Sequence, residues 1–300
     1  MSTDNTFAPD KRKLRQSLER ATSTHDSAAF LHREIADRMF DRLDYIKLNP
    51  KLILDVGCRT GYGTRKLTTH FGEATIIATD IARGMLHQAN NQGPWWKRQL
   101  PFLGNPSPKY LCADPEQLPL APNKANLIWS NLALHWFDLE RSAAEAHRVL
   151  ATEGLFMFST LGPDTLKELR SAFTGVDGYQ HVNRFIDMHD IGDALVHAGF
   201  ADPVMDMEVI TVTFDDVATM VRDLKSLGAR NHLQSRRPGL MAPGRWKEVV
   251  GRYESFRKEG KLPVTIEVIY GHAWKPQPKT LGDGRQIIQF RDYARRGSDV

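Results

Sequence analysis

The chain contains little cysteine and no long apolar stretch. Cys58 and Cys112 are the two cysteines among its 300 residues, too few for a disulfide framework, so we expect a reducing, cytoplasmic setting. No apolar run approaches the roughly 18 residues that a membrane span needs. The first twenty residues are polar and basic, unlike a secretory signal. Internal repeats and low-complexity tracts are also missing, which excludes fibrous and solenoid proteins.

The composition and charge are typical of a folded globular protein. Hydrophobic residues make up 41 % of the chain and charged residues 25 %, which is enough apolar material to offset the entropy of ordering. The net charge of +4 and the pI near 9.0 indicate an acidic partner only where the basic residues cluster. No nucleic-acid-binding module is recognisable. We therefore expect no nucleic acid, no membrane and no metal ion among the partners.

Short apolar runs alternate with helix-like segments from residue 52 onward. The first five runs are 52–56, 74–80, 110–114, 125–130 and 155–160, and two further strand-like runs follow at 203–214 and 263–274. This alternation is typical of βαβ units around a buried parallel sheet. It predicts an α/β fold with a doubly wound, mostly parallel, seven-stranded sheet.

The remaining segments predict the domain organisation. Residues 1–50 form an N-terminal segment with apolar residues at helical spacing, and 51–275 form the main domain. Within it, the polar and basic helical stretch at about 215–260 lies between two predicted strands, which makes it a candidate lid. Residues 276–300 are rich in proline and glycine and predict a poorly packed tail.

Three predicted strand ends carry residues suited to a nucleotide-like ligand. The glycine turn at 55–61 lies between a predicted strand and a helix, where a backbone without side chains lets a ligand approach. Asp80 lies 19 positions beyond Gly61, where an acid accepts hydrogen bonds from ribose hydroxyls. Asp114 ends the third strand and is placed to accept from an adenine amino group. Each of these residues alone is common at turns and caps. Their occurrence together, at the ends of three predicted strands, is a more specific indication of such a ligand.

Residues 53–160 resemble a class I S-adenosylmethionine-dependent methyltransferase. The glycine turn is similar to the D-x-G-x-G-x-G motif of that class, and 130–136 matches its strand-four loop. A dinucleotide oxidoreductase fits less well, because its turn usually reads G-x-G-x-x-G. The resemblance implies S-adenosylmethionine as the methyl donor. It also implies that this donor contacts Asp55, Gly57, Cys58, Gly61, Asp80, Met85, Ala113, Asp114, Asn131, Ala133 and Trp136.

Two positions depart from the class. Arg59 stands where the middle glycine is expected, so its side chain must point away from the cofactor or collide with it. A cation there is unfavourable near the sulfonium, although it can reach the methionine carboxylate. The pair His25-Asp26 stands where a Tyr-Asp pair is usual. Arg59 predicts weakened cofactor binding, and the two departures together favour a diverged protein with little activity.

Four segments are similar to malonyl-[acyl-carrier protein] O-methyltransferases of biotin synthesis. They are 158–170, 181–190, 224–229 and 267–274. Membership of this family implies methyl transfer from S-adenosylmethionine to the free carboxylate of malonyl-acyl carrier protein. The resulting methyl ester primes pimelate and biotin synthesis. Because the acceptor carboxylate, with a pKa of about 4, is already ionised at pH 7, we expect alignment and water exclusion rather than a catalytic dyad.

The acceptor carboxylate requires a donor that positions it. Arg170 is the first candidate, on a helix that we expect to begin at Asp164. Further candidates for substrate binding are His25, His181, Tyr270 and His272. Any of these residues can equally be a solvated surface residue or a satisfied core residue.

The basic residues of the candidate lid suggest a docking site for the acidic carrier protein. They are Lys225, Arg230, Arg236, Arg237, Arg245 and Lys247. A patch of this charge steers an acidic partner, but a solvated helical face has the same composition.

Two alternative functions stay open. One is a diverged methyltransferase-like protein of the assembly-factor type, weakly catalytic or non-catalytic, that binds a protein partner. The other is a small-molecule carboxyl methyltransferase of the trans-aconitate kind, which would not need the basic lid. Arg59 favours the first alternative, and the segment 159–164 favours the biotin enzyme.

Overall fold

A computed structural model describes residues 9–92 and 107–278. Its centre is a seven-stranded sheet with the strand order β3-β2-β1-β4-β5-β7-β6. Strands β1 to β5 are parallel, whereas β7 is antiparallel to both β5 and β6. The strands are β1 Leu52–Val56, β2 Thr75–Asp80, β3 Lys109–Cys112, β4 Ala125–Asn131, β5 Leu150–Leu161, β6 Ala201–Phe214 and β7 Leu262–Trp274. The predicted doubly wound, mostly parallel sheet is thus confirmed.

Helices cover both faces of this sheet. They are α1 Lys11–Ala21, α2 His25–Ala28, α3 Phe30–Leu43, α4 Tyr62–His70, α5 Arg83–Asn91, α6 Leu139–Val149, α7 Lys167–Phe173, α8 Met188–His197, α9 Val217–Ser226 and α10 Pro243–Glu254. One core cluster contains apolar residues of α3, α4, α7, α9 and α10, and a second contains those of α6 and α8. The central strands are buried between these layers, so they read as continuous apolar runs. No helix among the described residues is long and apolar enough to cross a membrane.

Most strand boundaries differ from the predicted ones by two residues or fewer, but two elements begin elsewhere than predicted. Strand β5 begins at Leu150 rather than at residue 155, because an irregular stretch pairs Leu150 with Ala125 before regular pairing resumes. The stretch between Leu150 and Leu155 is not apolar, so the apolar pattern did not predict that the strand begins there. Helix α7 begins at Lys167, so the expectation that Asp164 caps it is wrong. The backbone N–H of Asp164 donates instead to Glu267 Oε2 at 2.6 Å.

The segments outside the parallel core are placed as follows. Helices α1 to α3 form the N-terminal segment, and α9 and α10 lie in the insertion between β6 and β7. The division of the chain at residues 50 and 275 stays a prediction. Of the predicted tail, residues 279–300 lie outside the described residues.

Candidate active site

The glycine turn lies at the carboxyl ends of β1 and β2. The backbone N–H groups of Gly57 and Cys58 both donate to the Thr79 carbonyl oxygen, at 2.8 and 2.9 Å. Gly57 has a φ of +75°, and a Cβ added there would lie 2.4 Å from the Ala133 Cβ. A side chain at Gly57 is therefore excluded by its backbone conformation and by the strand-four loop. Gly61, at φ +80°, precedes α4.

Asp55 is a buried acid at the end of β1. Its side chain accepts a hydrogen bond from Thr64 Oγ1 at 2.6 Å. Burial raises its pKa to about 7, against the hydrogen bond from Thr64 and with the help of the nearby Asp80 charge. Asp55 therefore titrates close to neutral pH.

Asp80, at the end of β2, already forms hydrogen bonds within the protein, with Ala82 and with Arg59. Its Oδ1 accepts from the Ala82 backbone N–H at 2.8 Å, and its Oδ2 accepts from the Arg59 backbone N–H at 3.1 Å. The Arg59 guanidinium Nη1 lies 3.3 Å from the same Oδ2, with the arginine side chain 8 % exposed and the aspartate side chain fully buried. The side chain at the position of the middle glycine thus turns inward, onto the carboxylate assigned to the ribose.

The side predicted to hold adenine is covered by the first helix. Met85 is fully buried and packs in one cluster with Leu14 and Leu18 of α1 and with Trp136. Asp114 Oδ2 lies 2.7 Å from Lys11 Nζ, also on α1. This cover was not predictable, because α1 has the pattern of an ordinary amphipathic helix. Ala113 is buried beside these residues, and its backbone N–H donates to the Asp80 carbonyl oxygen.

A first cavity of about 270 Å³ lies against the glycine turn. Its lining includes His25, Asp55, Gly57, Cys58, Arg59 and Asn131. Trp129 Nε1 and His32 Nδ1, both from residues of this lining, are buried without a hydrogen-bond partner in the described part of the chain. Unpaired buried polar atoms beside a cavity indicate a polar ligand, because an unpaired group is unfavourable in a dry interior.

A second cavity, of about 130 Å³, is mainly apolar. Its apolar lining includes Leu132, Trp136, Leu166, Leu169, Val182 and Phe185. The lid contributes Arg230 and Asn231, and the segment before α8 contributes His181 and Asn183. His32 and Arg59 line both cavities, so the two spaces adjoin at these residues.

Three non-glycine residues of the second cavity have left-handed backbone conformations. Arg59, Leu132 and Leu166 have φ angles of 51°, 50° and 58°. Such conformations are unfavourable for side-chain-bearing residues and persist where the surrounding structure holds them, often at functional sites. The Leu132 backbone N–H is held by Ser159 Oγ at 3.0 Å, and this hydroxyl donates to Asn131 Oδ1 at 2.8 Å.

The predicted carboxylate-binding residues are distributed over the molecule. His181 lines the second cavity, but its Nε2 lies 2.7 Å from Asp177 Oδ1. Arg170 does not line either cavity, and its Nη2 donates to the Thr165 carbonyl oxygen at 3.0 Å. Tyr270 and His272 also lie outside both cavity linings.

Of the other candidates, Tyr270 is hydrogen-bonded within the sheet, and His25 lies at the first cavity. The Tyr270 hydroxyl donates to Glu208 Oε1 on β6 at 2.5 Å. His25 is buried against the first cavity, and both of its ring nitrogens lack a partner among the described residues. His25 Nδ1 lies 3.6 Å from Asp26 Oδ1, beyond hydrogen-bond distance. The histidine therefore occupies the wall where an aromatic ring is expected in the class.

Two histidines lie at or next to the second cavity: His135 lines it, and His232 contacts Trp136 of its lining. Burial lowers the pKa of His135 to about 3 and the pKa of His232 to about 4, and nearby arginines, Arg59 among them, add to both shifts. His232 packs edge-on against Trp136, with ring centroids 5.2 Å apart. Both rings are neutral at pH 7, so neither supplies a positive charge to the site.

The lid cations fall into two groups. Arg236 Nη2 lies 3.2 Å from Asp10 Oδ2 and Arg237 Nη1 lies 3.0 Å from Asp177 Oδ2, so both anchor the lid internally. Arg245 also lies near Asp177, at 3.9 Å. Lys225, Arg230 and Lys247 are exposed and have no ion-pair partner in residues 9–92 and 107–278. No group of three or more His, Cys, Asp or Glu in these same ranges is arranged to hold a metal ion.

Comparison with solved structures identifies the fold. A protein YcgJ from Bacillus subtilis superposes with a TM-score of 0.57 at 13 % identity, over 82 % of this chain and 99 % of that chain. A putative methyltransferase from Bacillus halodurans gives a TM-score of 0.54 at 18 % identity, over 81 % and 99 %. The family described as "Methyltransferase domain" matches residues 54–158. These solved structures show the fold, and the matched family covers the strands β2 to β4 and most of β1 and β5.

Curated relatives define the family more closely. The malonyl-[acyl-carrier protein] O-methyltransferase of Gallionella capsiferriformans is 51 % identical over 286 residues, covering 95 % of this chain and 98 % of the relative. The enzyme of the same name from Nitrosospira multiformis is 54 % identical over 280 residues, covering 90 % and 91 %. The chain belongs to the malonyl-[acyl-carrier protein] O-methyltransferase family.

Proposed function

We propose that this protein transfers a methyl group from S-adenosylmethionine to the free carboxylate of malonyl-acyl carrier protein. The malonyl methyl ester that results primes pimelate and biotin synthesis. The observation that carries the proposal is the pair of adjoining cavities, one beside the glycine turn with charged and polar side chains in its lining and one mainly apolar beside the lid. The pair occurs in a chain that is about half identical to relatives named for this reaction.

Some of the predicted cofactor residues line the first cavity, namely Asp55, Gly57, Cys58 and Asn131. Asp80, Met85, Ala113 and Asp114 line neither cavity; in this proposal Asp80 is the acceptor for the ribose hydroxyls, and the other three lie towards the adenine. Gly57, Cys58 and Asn131 lie towards the methionine end, beside the unpaired Trp129 Nε1. S-adenosylmethionine supplies an electrophilic methyl group when it is bound. Asn131 is held in place by its Nδ2, which donates to the His32 carbonyl oxygen at 2.9 Å.

The acceptor needs no deprotonation by the protein. A malonyl carboxylate with a pKa of about 4 is ionised at pH 7, and His135 is neutral there because burial lowers its pKa to about 3. The protein therefore acts by aligning the carboxylate with the methyl group and by removing water from it. The apolar wall formed by Leu132, Leu166 and Phe185 serves the second role.

The exposed lid cations form the proposed docking site for the carrier protein. Lys225, Arg230 and Lys247 are exposed, and Arg230 also lines the second cavity. An acidic carrier steered to these residues would bring its acyl group to the cavity entrance. Arg236 and Arg237 are left out of this site because Asp10 and Asp177 neutralise them.

The test is methyl transfer from labelled S-adenosylmethionine to a panel of acceptors. The panel contains malonyl-acyl carrier protein, acetyl-acyl carrier protein, malonyl-CoA and free malonate. We expect label on the malonyl carrier protein and none on the acetyl form, which lacks the carboxylate. Salt-insensitive labelling of free malonate that equals labelling of the carrier would favour the small-molecule alternative. No label on any acceptor would favour the non-catalytic alternative.

A further inference from the structure

The two cavities meet at two residues, and the reacting groups have to meet there as well. His32 and Arg59 are common to both linings. A cofactor in the first cavity can pass its methyl group to an acceptor in the second only across this junction. The lid residues Arg230 and Asn231 lie on the lining of the second cavity alone. An acyl chain that enters past the lid therefore presents its far end, the carboxylate, to the junction.

Arg59 is the fixed positive charge at this junction. The His32 ring is neutral, because burial lowers its pKa well below the ordinary value and nearby cations add to the shift. Its Nδ1 is buried without a partner in the part of the chain that the structure describes. A guanidinium stays charged at any physiological pH and carries five donors, two of which can bind one carboxylate.

The present partner of Arg59 is the carboxylate that the cofactor needs. Within the described residues, the guanidinium donates to Asp80 alone, through one bond of 3.3 Å. Ribose hydroxyls that bind Asp80 compete with this bond. A buried guanidinium that loses its counter-charge is strongly unfavourable, so it requires another anion.

We propose that Arg59 binds the substrate carboxylate and that the cofactor prepares it by taking over Asp80. This inference rests on the proposed function, which it deepens by naming the group that holds the acceptor. Cofactor and malonyl group then bind cooperatively, since the malonyl carboxylate pairs with the guanidinium that the cofactor displaces, and the ribose hydroxyls hydrogen-bond to the aspartate that the guanidinium leaves. The neutral methyl ester has no charge for Arg59, which returns to Asp80 and favours product release.

Binding to the wild-type protein tests the inference without turnover. The affinities of malonyl-CoA and of its methyl ester are measured by calorimetry, with and without saturating S-adenosylhomocysteine. We expect S-adenosylhomocysteine to raise the affinity for malonyl-CoA about fivefold or more and to leave the affinity for the ester unchanged. With S-adenosylhomocysteine bound, malonyl-CoA should bind about tenfold tighter than the ester. Equal affinities, or equal coupling for both ligands, would overturn the inference.

Two substitutions test whether the preference for malonyl-CoA over its methyl ester depends on Arg59. Arg59→Gly suits the positive φ of 51° and removes the guanidinium, so the preference for malonyl-CoA over its ester should fall to about one while S-adenosylhomocysteine still binds. Arg59→Lys keeps the charge with fewer donors and should retain part of the preference. An unchanged preference in a folded Arg59→Gly protein would overturn the inference, as would its loss in Arg170→Met instead.

These measurements separate the inference from the proposed function. Thermal unfolding of each variant shows whether it is folded, and the wild-type comparison is decisive even where a variant does not fold. A wild-type protein that prefers malonyl-CoA but transfers no methyl group would overturn the proposed function and leave the role of Arg59 standing.

Discussion

The guanidinium of Arg59 and the carboxylate of Asp80 form a buried ion pair across the glycine turn, with Nη1 3.3 Å from Oδ2. The pair joins the position of a missing glycine to the acid expected to bind ribose. Arg59 lines the first cavity, but its guanidinium is paired with Asp80. This pairing makes cofactor binding a competition for Asp80.

Substitution of Asp80 should abolish cofactor binding. Asp80→Ala removes the acceptor for the ribose hydroxyls and also leaves Arg59 buried without its partner, so we expect S-adenosylhomocysteine affinity to fall about a hundredfold or more. Calorimetric titration measures the change. Asp190→Ala, at an exposed position of α8, is the matched control and should bind normally. An Asp80→Ala protein that is folded and keeps its affinity would remove the ribose assignment.

Charge reversal of the exposed lid cations should slow methylation of the carrier protein selectively. In Lys225→Glu/Lys247→Glu, whose two positions are exposed and line neither cavity, we expect KM for malonyl-acyl carrier protein to rise about tenfold at low salt and KM for malonyl-CoA to rise much less. Lys124→Glu reverses an exposed lysine just before β4, at the opposite end of the parallel strands from the cavities, and should leave both values unchanged. Equal effects of the double variant on both substrates would contradict docking at the lid.

Arg236 and Arg237 should behave differently from the exposed cations. Because their partners are Asp10 and Asp177, their replacement by methionine should lower the free energy of unfolding by about 1 kcal/mol each. Chemical denaturation measures this loss. KM for malonyl-CoA and KM for the carrier substrate should then change in parallel. A selective rise in KM for the carrier substrate, with stability unchanged, would mean that these two residues contact the carrier protein.

Asp55 should make stability fall as the pH rises. Its pKa is about 7 in the folded protein against an ordinary 3.8, so the folded state holds the proton more tightly. The resulting stabilisation is complete below about pH 4 and is lost as the pH rises through 7, by about 4 kcal/mol at most. Asp55→Asn does not titrate.

The comparison of the two proteins isolates this contribution. We expect the stability of Asp55→Asn relative to the wild type to increase steadily from about pH 4 to pH 7 and to stay constant above that. His135 and His232, whose lowered pKa values oppose this trend below about pH 6.5, are common to both proteins and cancel. A difference that does not change with pH would mean that Asp55 is ionised throughout.

Sequence periodicity was sufficient for the sheet and for the strand ends that surround the cofactor site. Apolar runs mark buried parallel strands directly, and the acids that follow β1 and β2 mark the carboxyl edge. The direction of the Arg59 side chain was not predictable, since it depends on a left-handed backbone at a non-glycine residue.

The lid was predictable as a basic insertion but not as a set of ion pairs. Arg236 reaches an acid 226 residues away in the chain, and Arg237 reaches one 60 residues away. The composition of a local segment cannot predict ion pairs between residues so far apart in the chain. His32, which lines both cavities, and the buried His232 were missed for the same reason, because their positions depend on packing between distant segments.

The intact mass of malonyl-acyl carrier protein, after incubation with the wild-type protein and S-adenosylmethionine, tests the central claim most directly. The account predicts a gain of one methyl group on the malonyl carrier protein and no gain on the acetyl carrier protein. No gain with the wild type, under conditions where the Nitrosospira multiformis relative methylates the same sample, would contradict it.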